Sequence, residues 1–161
     1  MPPEILIASG APGPVPGLYL LDLWLEREAI LTPGHRGRQR FERGHHLYIG
    51  SAYGPGGLQA RIRRHFRFGR KSKHHWHVDA LLERANLLGA WWSTLDGQSE
   101  CGWAESLGQF GRRSPDGFGS TDCGCSGHLV YFRSQARLEQ AIGSLASDIS
   151  GYLNYVQRQR S

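Results

Sequence analysis

Two tyrosines, an arginine–histidine pair and a glutamate are the side chains of this sequence best suited to chemistry on a phosphate group. Tyr19 and Tyr48 each lie close to a glycine in a short apolar segment that is typical of a β-strand. If the two strands pair, the tyrosines can lie close together on one face of the sheet. Arg61 and His65 are four residues apart in a segment with helical spacing, so they are neighbours on one helix face. Glu100 lies at the start of a later predicted helix.

Hydrolysis of a phosphodiester needs an activated water, stabilisation of the charge on the phosphate oxygens and neutralisation of the leaving oxygen. Glu100 is the best candidate to hold one Mg²⁺ or Mn²⁺, because hard cations bind carboxylate oxygens. Arg61 would hold a phosphate oxygen with its planar guanidinium. The alternatives are that Arg61 binds phosphate without catalysis and that Glu100 only interacts with the helix dipole. Glu105 is then the fallback metal ligand.

Positive charge is concentrated in the middle of the sequence. The 161 residues carry a net charge of +5, and eleven of the 19 Lys and Arg lie between Arg36 and Lys73, opposed only by Glu42. Seven of the eight histidines also lie between His35 and His77. A patch this basic predicts a polyanionic partner, and a solvated basic face without a partner is the alternative. The candidate nucleic-acid-binding residues are Arg63, Arg64, Arg67, Arg70, Lys71, Lys73, His75 and His77.

A second group of polar side chains is formed by His75-Trp76-His77 together with Asp79. Imidazole and carboxylate groups at this spacing could bind a metal ion or contact a phosphate. The alternative is a turn that packs Trp76 and caps the helix that follows it.

The cysteines and the last histidine form a third group, which contains the possible zinc ligands Cys101, Cys123, Cys125 and His128. Three cysteines and a histidine are a legitimate ligand set for zinc, although Cys-x-Cys is tighter than the usual spacing. The alternative is a set of small residues packed in a glycine-rich loop. The odd number of cysteines favours reduced thiols and a cytoplasmic location.

Composition excludes several classes of protein. Hydrophobic residues make up 39% and charged residues 20% of the chain, as in an ordinary globular domain. We expect no membrane span, because no apolar run approaches the ~20 residues that cross a bilayer. We also expect no secretory signal, because the N-terminus lacks a basic start and a long apolar stretch.

The spacing of apolar residues predicts an α/β fold in which a small, mainly antiparallel sheet is flanked by helices. We predict a loosely attached arm over residues 1–16 and a single domain over 17–161, with its core in 17–110 and a Cys- and Gly-rich loop followed by an amphipathic C-terminal helix in 111–161. Strands are predicted over 18–26, 46–52, 87–95 and 128–133. Helices are predicted over 58–68, 78–85, 99–109 and from 134 to 153, and basic loops over 27–44 and 69–77.

The segments Gly17-Leu18-Tyr19 and Tyr48-Ile49-Gly50, followed by Arg61, His65 and Glu100, together resemble the GIY-YIG nuclease family over residues 17–110. The strings YIGSAYGPGGLQARIRRH, HWHVDALL and GFGSTDCGCSGHL are similar to one little-characterised branch of that family over nearly the whole chain. Some members of this branch are found beside DNA-repair glycosylase domains. The sequence departs from the family pattern in Leu18, where isoleucine is usual, and in the longer spacer between the two motifs. It also lacks a clear match to the asparagine that often follows the glutamate helix.

The resemblance implies that Tyr19 is the general base of the reaction. Its ordinary pKa of about 10 must then fall, and a metal-bound water or Arg61 could lower it. Tyr48 and His65 would hold Tyr19 or the attacking water in place.

The function expected from these observations is a metal-dependent endonuclease that acts on DNA or RNA, with DNA favoured, in repair or on structured DNA. Two other classes stay open. One is a nucleic-acid-binding module that has lost turnover, which would need the basic patch but not Glu100. The other is a zinc-stabilised protein-interaction domain, which stoichiometric zinc would favour.

Overall fold

The computed structural model describes residues 8–33, 37–69, 72–74, 76–115, 117–119 and 125–159. The strands in these residues are β1 (Ala8–Ser9), β2 (Leu18–Leu25), β3 (Ala29–Leu31), β4 (Gln39–Phe41), β5 (Gly44–Ser51), β6 (Asn86–Ser93), β7 (Arg112–Arg113), β8 (Leu129–Phe132) and β9 (Asn154–Gln157). The helices are α1 (Gly57–Arg67), α2 (His77–Leu82), α3 (Glu100–Gly108) and α4 (Gln135–Asp148).

Seven of the strands form one sheet in the order β1-β9-β6-β2-β5-β8-β7, and β3 and β4 form a separate hairpin. The apolar strand β2 lies in the middle and pairs in antiparallel fashion with both β5 and β6. The one parallel pair among the described strands is β1 with β9. The predicted fold class, a mainly antiparallel sheet flanked by helices with a helix near the C-terminus, is confirmed.

Each face of the sheet is covered by its own apolar core. On one face Leu18, Leu20 and Ile49 pack with Trp103 of α3 and the apolar side of α4. On the other face Tyr19 and Tyr48 pack with residues of α1, α2 and the β3–β4 hairpin. This alternation along β2 follows from the two-residue period of a strand, and it leaves both tyrosines on the α1 side.

Most predicted elements are found within a few residues of their expected limits. Ser99 caps α3 by accepting a hydrogen bond from the backbone of Gly102 at 3.0 Å, and Ser134 caps α4 from Arg137 at 3.3 Å. Helix α4 ends at Asp148, whereas the sequence predicted that it continues to residue 153. Strand β9, strand β7 and the β3–β4 hairpin inside the basic loop were not predicted.

The described part of the predicted N-terminal arm makes backbone hydrogen bonds with the rest of the domain. Strand β1 pairs with β9, and the carbonyl of Val15 accepts from the backbone N–H of Leu58 at 2.8 Å. The carbonyl of Gly13 accepts from Gln59 at 3.2 Å. Residues 13–15 therefore lie directly against the start of α1. No helix in the described residues is long and apolar enough to cross a membrane.

Candidate active site

The pairing of β2 with β5 determines where the first tyrosine lies. Tyr19 is opposite Gly50 in the antiparallel register. A Cβ atom built on Gly50 would collide with both Cζ and the hydroxyl of Tyr19. Glycine is therefore required at position 50, because the phenol ring lies directly against the backbone there.

Tyr19 connects the sheet to helix α1 through His65. The Tyr19 hydroxyl is 2.8 Å from Nε2 of His65, and both side chains are buried. Burial raises the pKa of Tyr19 well above its usual range, and Tyr48 adds to this effect, whereas the charge of Arg61 and its hydrogen bond oppose it. The Tyr19 hydroxyl donates to an unprotonated Nε2 or accepts from Nε2–H, depending on the tautomer of His65. The lowered pKa expected for Tyr19 is thus corrected: in this arrangement its pKa is raised.

His65 is a neutral imidazole in this site. Burial, assisted by the nearby charge of Arg64, lowers the pKa of His65 to about 3, against the opposite influence of Asp79. A neutral imidazole has one unprotonated ring nitrogen, which can accept the Tyr19 proton in a hydrogen bond. His65 therefore fixes the position of the phenol, as expected for a residue that holds Tyr19 in place.

Arg61 lies in the second turn of α1, between the sheet and the loop before α2. Its Nη1 donates to the carbonyl of Ser51 at 3.2 Å, and its Cζ is 4.3 Å from the centroid of the Trp76 ring. These contacts fix the guanidinium beside the two tyrosines, since its charge acts on the pKa of both. Burial followed by the charge of Glu100 raises the pKa of Tyr48, and Arg61 opposes this rise.

Glu100 is the acidic side chain of the site, at the first residue of α3. Its Oε2 lies 3.0 Å from Nδ1 of His128, and its side chain is 27% exposed. Burial by itself would raise its pKa. The hydrogen bonds of His128 and Ser51, with the positive charges of His128 and Arg61, outweigh burial and hold the pKa of Glu100 below its ordinary value. Glu100 is therefore an anion with part of its surface open to solvent.

His128 has a second neighbour on its other ring nitrogen. Its Nε2 is 3.5 Å from Sγ of Cys101, the residue after Glu100. The ligand atoms of Cys101, Cys125 and His128 all lie within 4.8 Å of one another, and this cluster could hold a metal ion. It is the one group of three or more His, Cys, Asp and Glu in the described residues that meets this criterion. Glu100, Cys101 and His128 also line, with Ser51 and Tyr53, a cleft of about 350 Å³.

An ion pair with a fully buried carboxylate lies beside Arg61, on the side of α1 that contacts Trp76. Arg64 donates from Nη1 to Oδ1 of Asp79 at 3.0 Å and from Nη2 to Oδ2 at 2.7 Å. Asp79 also accepts from the backbone N–H of Trp76 at 3.1 Å, which caps α2. The Cζ of Arg64 is 4.1 Å from the Trp76 ring centroid. These contacts support the interpretation of the Trp76 segment as a turn that caps a helix.

Residues 18–150 match the model of a family described as "Domain of unknown function DUF123". The chain belongs to the DUF123 family. No curated protein and no solved structure matches the chain. The DUF123 match runs through both tyrosines, Glu100 and His128, so all elements of this site belong to the family domain.

The DUF123 domain brings Tyr19, Tyr48, Arg61, His65 and Glu100 into one neighbourhood. Glu105 is exposed, and a helix turns by roughly 140° over the five residues that separate it from Glu100. It therefore does not share the position of Glu100. The predicted site residues that lie outside the described ranges are Arg70, Lys71, His75 and Cys123.

The remaining nucleic-acid-binding candidates of the DUF123 domain fall into two groups. Arg63, Arg67 and Lys73 are exposed, as a contact with a polyanion requires. Arg64 differs from them, because both terminal nitrogens of its guanidinium already donate to Asp79. His77 is half-buried, with its ring 6.2 Å from that of Phe118.

The sequence did not single out Ser51 or the contact of His128 with Glu100. Strand alternation could have found Ser51, because it lies on the same face of β5 as Ile49, toward α3. No local signal joins Glu100 to His128, since their contact depends on the pairing of β5 with β8. The backbone N–H of Ile49 donates to the carbonyl of His128 at 2.8 Å, and this bond positions the imidazole.

Proposed function

We propose that this DUF123 protein is a metal-dependent endonuclease that hydrolyses phosphodiester bonds in DNA, in repair or on structured substrates. The observation that carries the proposal is the meeting of a buried tyrosine pair, a fixed guanidinium and a partly open carboxylate. They come from β2, β5, α1 and α3 and influence one another's pKa. The order of these elements and their residues resemble a GIY-YIG nuclease, which supports the same reaction class.

Glu100 fits a hard divalent cation. It is ionised, 27% exposed and close to the hydroxyl of Ser51, and carboxylate oxygens are what Mg²⁺ and Mn²⁺ bind. A cation bound there would supply Lewis acidity and a water of lowered pKa.

Arg61 would bind the scissile phosphate. Its Nη1 bond to Ser51 and its contact with Trp76 hold the guanidinium before the substrate arrives, so little reorganisation is needed when charge develops. A fixed donor of this kind stabilises the transition state more than the ground state.

Tyr19 would take the proton of the attacking water as a phenolate, after releasing its own proton to solvent. His65 holds its hydroxyl at 2.8 Å and so fixes where the phenol oxygen lies. Tyr19 can act as this base only if its own pKa falls from the raised value. Arg61 already acts in that direction, and any further positive charge beside Glu100 adds to it. Tyr48 packs on the same face and limits the space around the phenol.

We assign zinc to the Cys101–Cys125–His128 cluster. Two thiol sulfurs and an imidazole nitrogen within 4.8 Å are a donor set that favours zinc over Mg²⁺ or Ca²⁺. Cys123, the remaining cysteine of the chain, lies outside the described residues. Thiols that bind zinc must stay reduced, which favours a cytoplasmic location.

The test is single-turnover cleavage of branched, nicked, single-stranded and duplex DNA with Mg²⁺ or Mn²⁺, beside equilibrium binding in metal-free buffer. Glu100→Ala should abolish cleavage and leave binding equal or slightly tighter, because a like charge is removed from the phosphate. Arg61→Ala should weaken both. Tyr19→Phe should keep binding and slow cleavage by about 10²–10⁴-fold, since only the hydroxyl is removed.

Glu105→Ala is the matched control on the same helix and should cleave as the parent does. Cleavage by Glu100→Ala at the parental rate would overturn the nuclease assignment to this site. Binding of DNA without cleavage of any substrate would identify a binding module instead. Zinc-loaded protein that neither binds nor cleaves nucleic acid would identify an interaction domain.

A further inference from the structure

The first two residues of α3 face one imidazole. Nδ1 of His128 lies 3.0 Å from Oε2 of Glu100, and its Nε2 lies 3.5 Å from Sγ of Cys101. Adjacent residues of one helix turn thus use the two nitrogens of the same ring. One of them is the proposed cation ligand, and the other belongs to the thiol cluster.

His128 is held rigidly in this position. The residue is 4% exposed, its backbone N–H donates to the carbonyl of Phe118 at 2.6 Å and its carbonyl accepts from Ile49 at 2.8 Å. The two backbone bonds fix where the side chain leaves the main chain, and burial leaves the ring little space to turn. A rigid imidazole transmits the state of one nitrogen to the partner of the other.

A metal ion on Nε2 determines where the ring proton lies. A neutral histidine that ligates through Nε2 carries its proton on Nδ1, and here Nδ1 lies 3.0 Å from Oε2 of the Glu100 carboxylate. Carboxylates that accept such a bond orient the ring and strengthen metal binding, typically by 10–100-fold in affinity.

We propose that His128 is a positioning residue that joins the zinc centre to Glu100, so that zinc occupancy fixes the carboxylate that binds the catalytic cation. The inference rests on the proposed function for the role of Glu100 in catalysis, but the effect of Glu100 on zinc does not. The protein would lose cation-dependent cleavage when zinc is removed. Nuclease activity would then report the zinc occupancy of the thiol cluster.

The same chain of thiol, imidazole and carboxylate also matches the order of a nucleophilic cysteine with its base. The position of Cys125 favours zinc. A nucleophile needs one thiol, whereas here a second sulfur lies within 4.8 Å of both Sγ of Cys101 and the His128 nitrogen. A converging second sulfur is what a soft metal ion requires.

The first test measures zinc affinity by competition with a chromophoric chelator on the reduced full chain. Glu100→Ala should weaken zinc binding by about 10–100-fold, because Nδ1–H of His128 loses its acceptor. Glu100→Gln should retain most of the affinity, since its amide oxygen still accepts. Glu105→Ala is the matched control and should bind zinc as the parent does. This readout needs no nuclease activity.

The second test separates the link from the zinc itself. His128→Cys should keep about one zinc per chain, because a thiolate replaces the imidazole as ligand. It lacks the N–H to Glu100, so the Mn²⁺ concentration for half-maximal cleavage should rise while DNA affinity in metal-free buffer stays unchanged. Mn²⁺ binding followed by electron paramagnetic resonance should show the same weakening.

The outcomes distinguish this inference from the proposed nuclease. Equal zinc affinity in Glu100→Ala and Glu105→Ala would overturn the link, whatever the nuclease assays show. Weaker zinc binding in Glu100→Ala with no cleavage by the parent would establish the link and reject the nuclease. Parent protein that binds no zinc when reduced would overturn the inference and leave the thiol–imidazole–carboxylate chain as that of a nucleophile.

Discussion

Asp79 and Asp22 are both buried, with 0% and 8% exposure, but their surroundings differ. Asp79 receives two hydrogen bonds from Arg64 and one from the backbone of Trp76. Asp22 lies on the central strand β2, and its Oδ1 has no hydrogen-bond partner among the described residues. Burial raises the pKa of Asp22 to about 6.

Buried polar groups are paired in one region of the domain and not in the other. Beside α1 and α3 they are joined to one another, in the pairs Tyr19–His65, Arg64–Asp79 and Glu100–His128. Side chains that are paired with one another are restrained in one arrangement, whereas a buried carboxylate oxygen without a donor costs stability. The three pairs therefore restrain the side chains of the candidate site, and Asp22 is a weak point of the fold.

The largest effect on stability is expected at Arg64. Arg64→Ala leaves the fully buried Asp79 without its cation, and breaking a buried pair in this way costs about 3–5 kcal/mol. Urea unfolding at pH 7 measures the change. Arg63→Ala, one residue earlier and exposed, is the matched control and should change stability by less than about 0.5 kcal/mol. Similar destabilisation in both variants would mean that the Asp79 pair does not hold α1 to α2.

Substitution of Asp22 should instead raise the stability of the folded protein. The pKa of Asp22 is raised from 3.8 to about 6, so the folded state binds the proton more tightly than the unfolded state does. The contribution of Asp22 to the stability of the folded protein is then most favourable below pH 4 and becomes less favourable as the pH rises to 6. Asp22→Asn removes this penalty, and at about 1.4 kcal/mol per pKa unit it should stabilise the protein by roughly 3 kcal/mol at pH 7.

The pH profile distinguishes this explanation from a simple gain in packing. The advantage of Asp22→Asn should shrink between pH 6 and 4 and vanish below that, as measured by urea unfolding across the range. Asp96→Asn, at an exposed position, is the control and should follow the parent. A gain that is the same at pH 4 and pH 7 would show that the carboxylate charge is not its cause.

The same contrast separates what the sequence could predict from what it could not. Helix α3 and its Ser99 cap depend on local spacing and capping, so their position followed from the sequence. Strand β9 has no fully buried residue, and its place depends on pairing with β6 far away in the chain. Its four residues carry too little pattern of their own.

The candidate site divides in the same way. The resemblance to the GIY-YIG family singled out Tyr19, Tyr48, Arg61, His65 and Glu100 as candidates. Contacts between distant segments could not be predicted from the sequence. Arg64 was expected to contact nucleic acid, but its guanidinium binds Asp79, 15 residues away. The raised pKa of Tyr19 was also missed, because it depends on complete burial between the sheet and α1.

The smallest effect is expected at the exposed arginines of α1 and rests on the proposed function. Arg63 and Arg67 lie outside the Asp79 pair and are exposed, so each can neutralise a phosphate and release a counterion. Replacing both with Ala should make the slope of log affinity against log salt shallower by about 0.9 for each phosphate that is no longer neutralised. Fluorescence anisotropy with duplex DNA at several salt concentrations measures this slope. Arg133→Ala, an exposed arginine after β8, is the control and should leave it unchanged. An unchanged slope in the double variant would mean that this side of α1 does not contact the backbone of the nucleic acid, and that binding must use the face of α1 that carries Arg61.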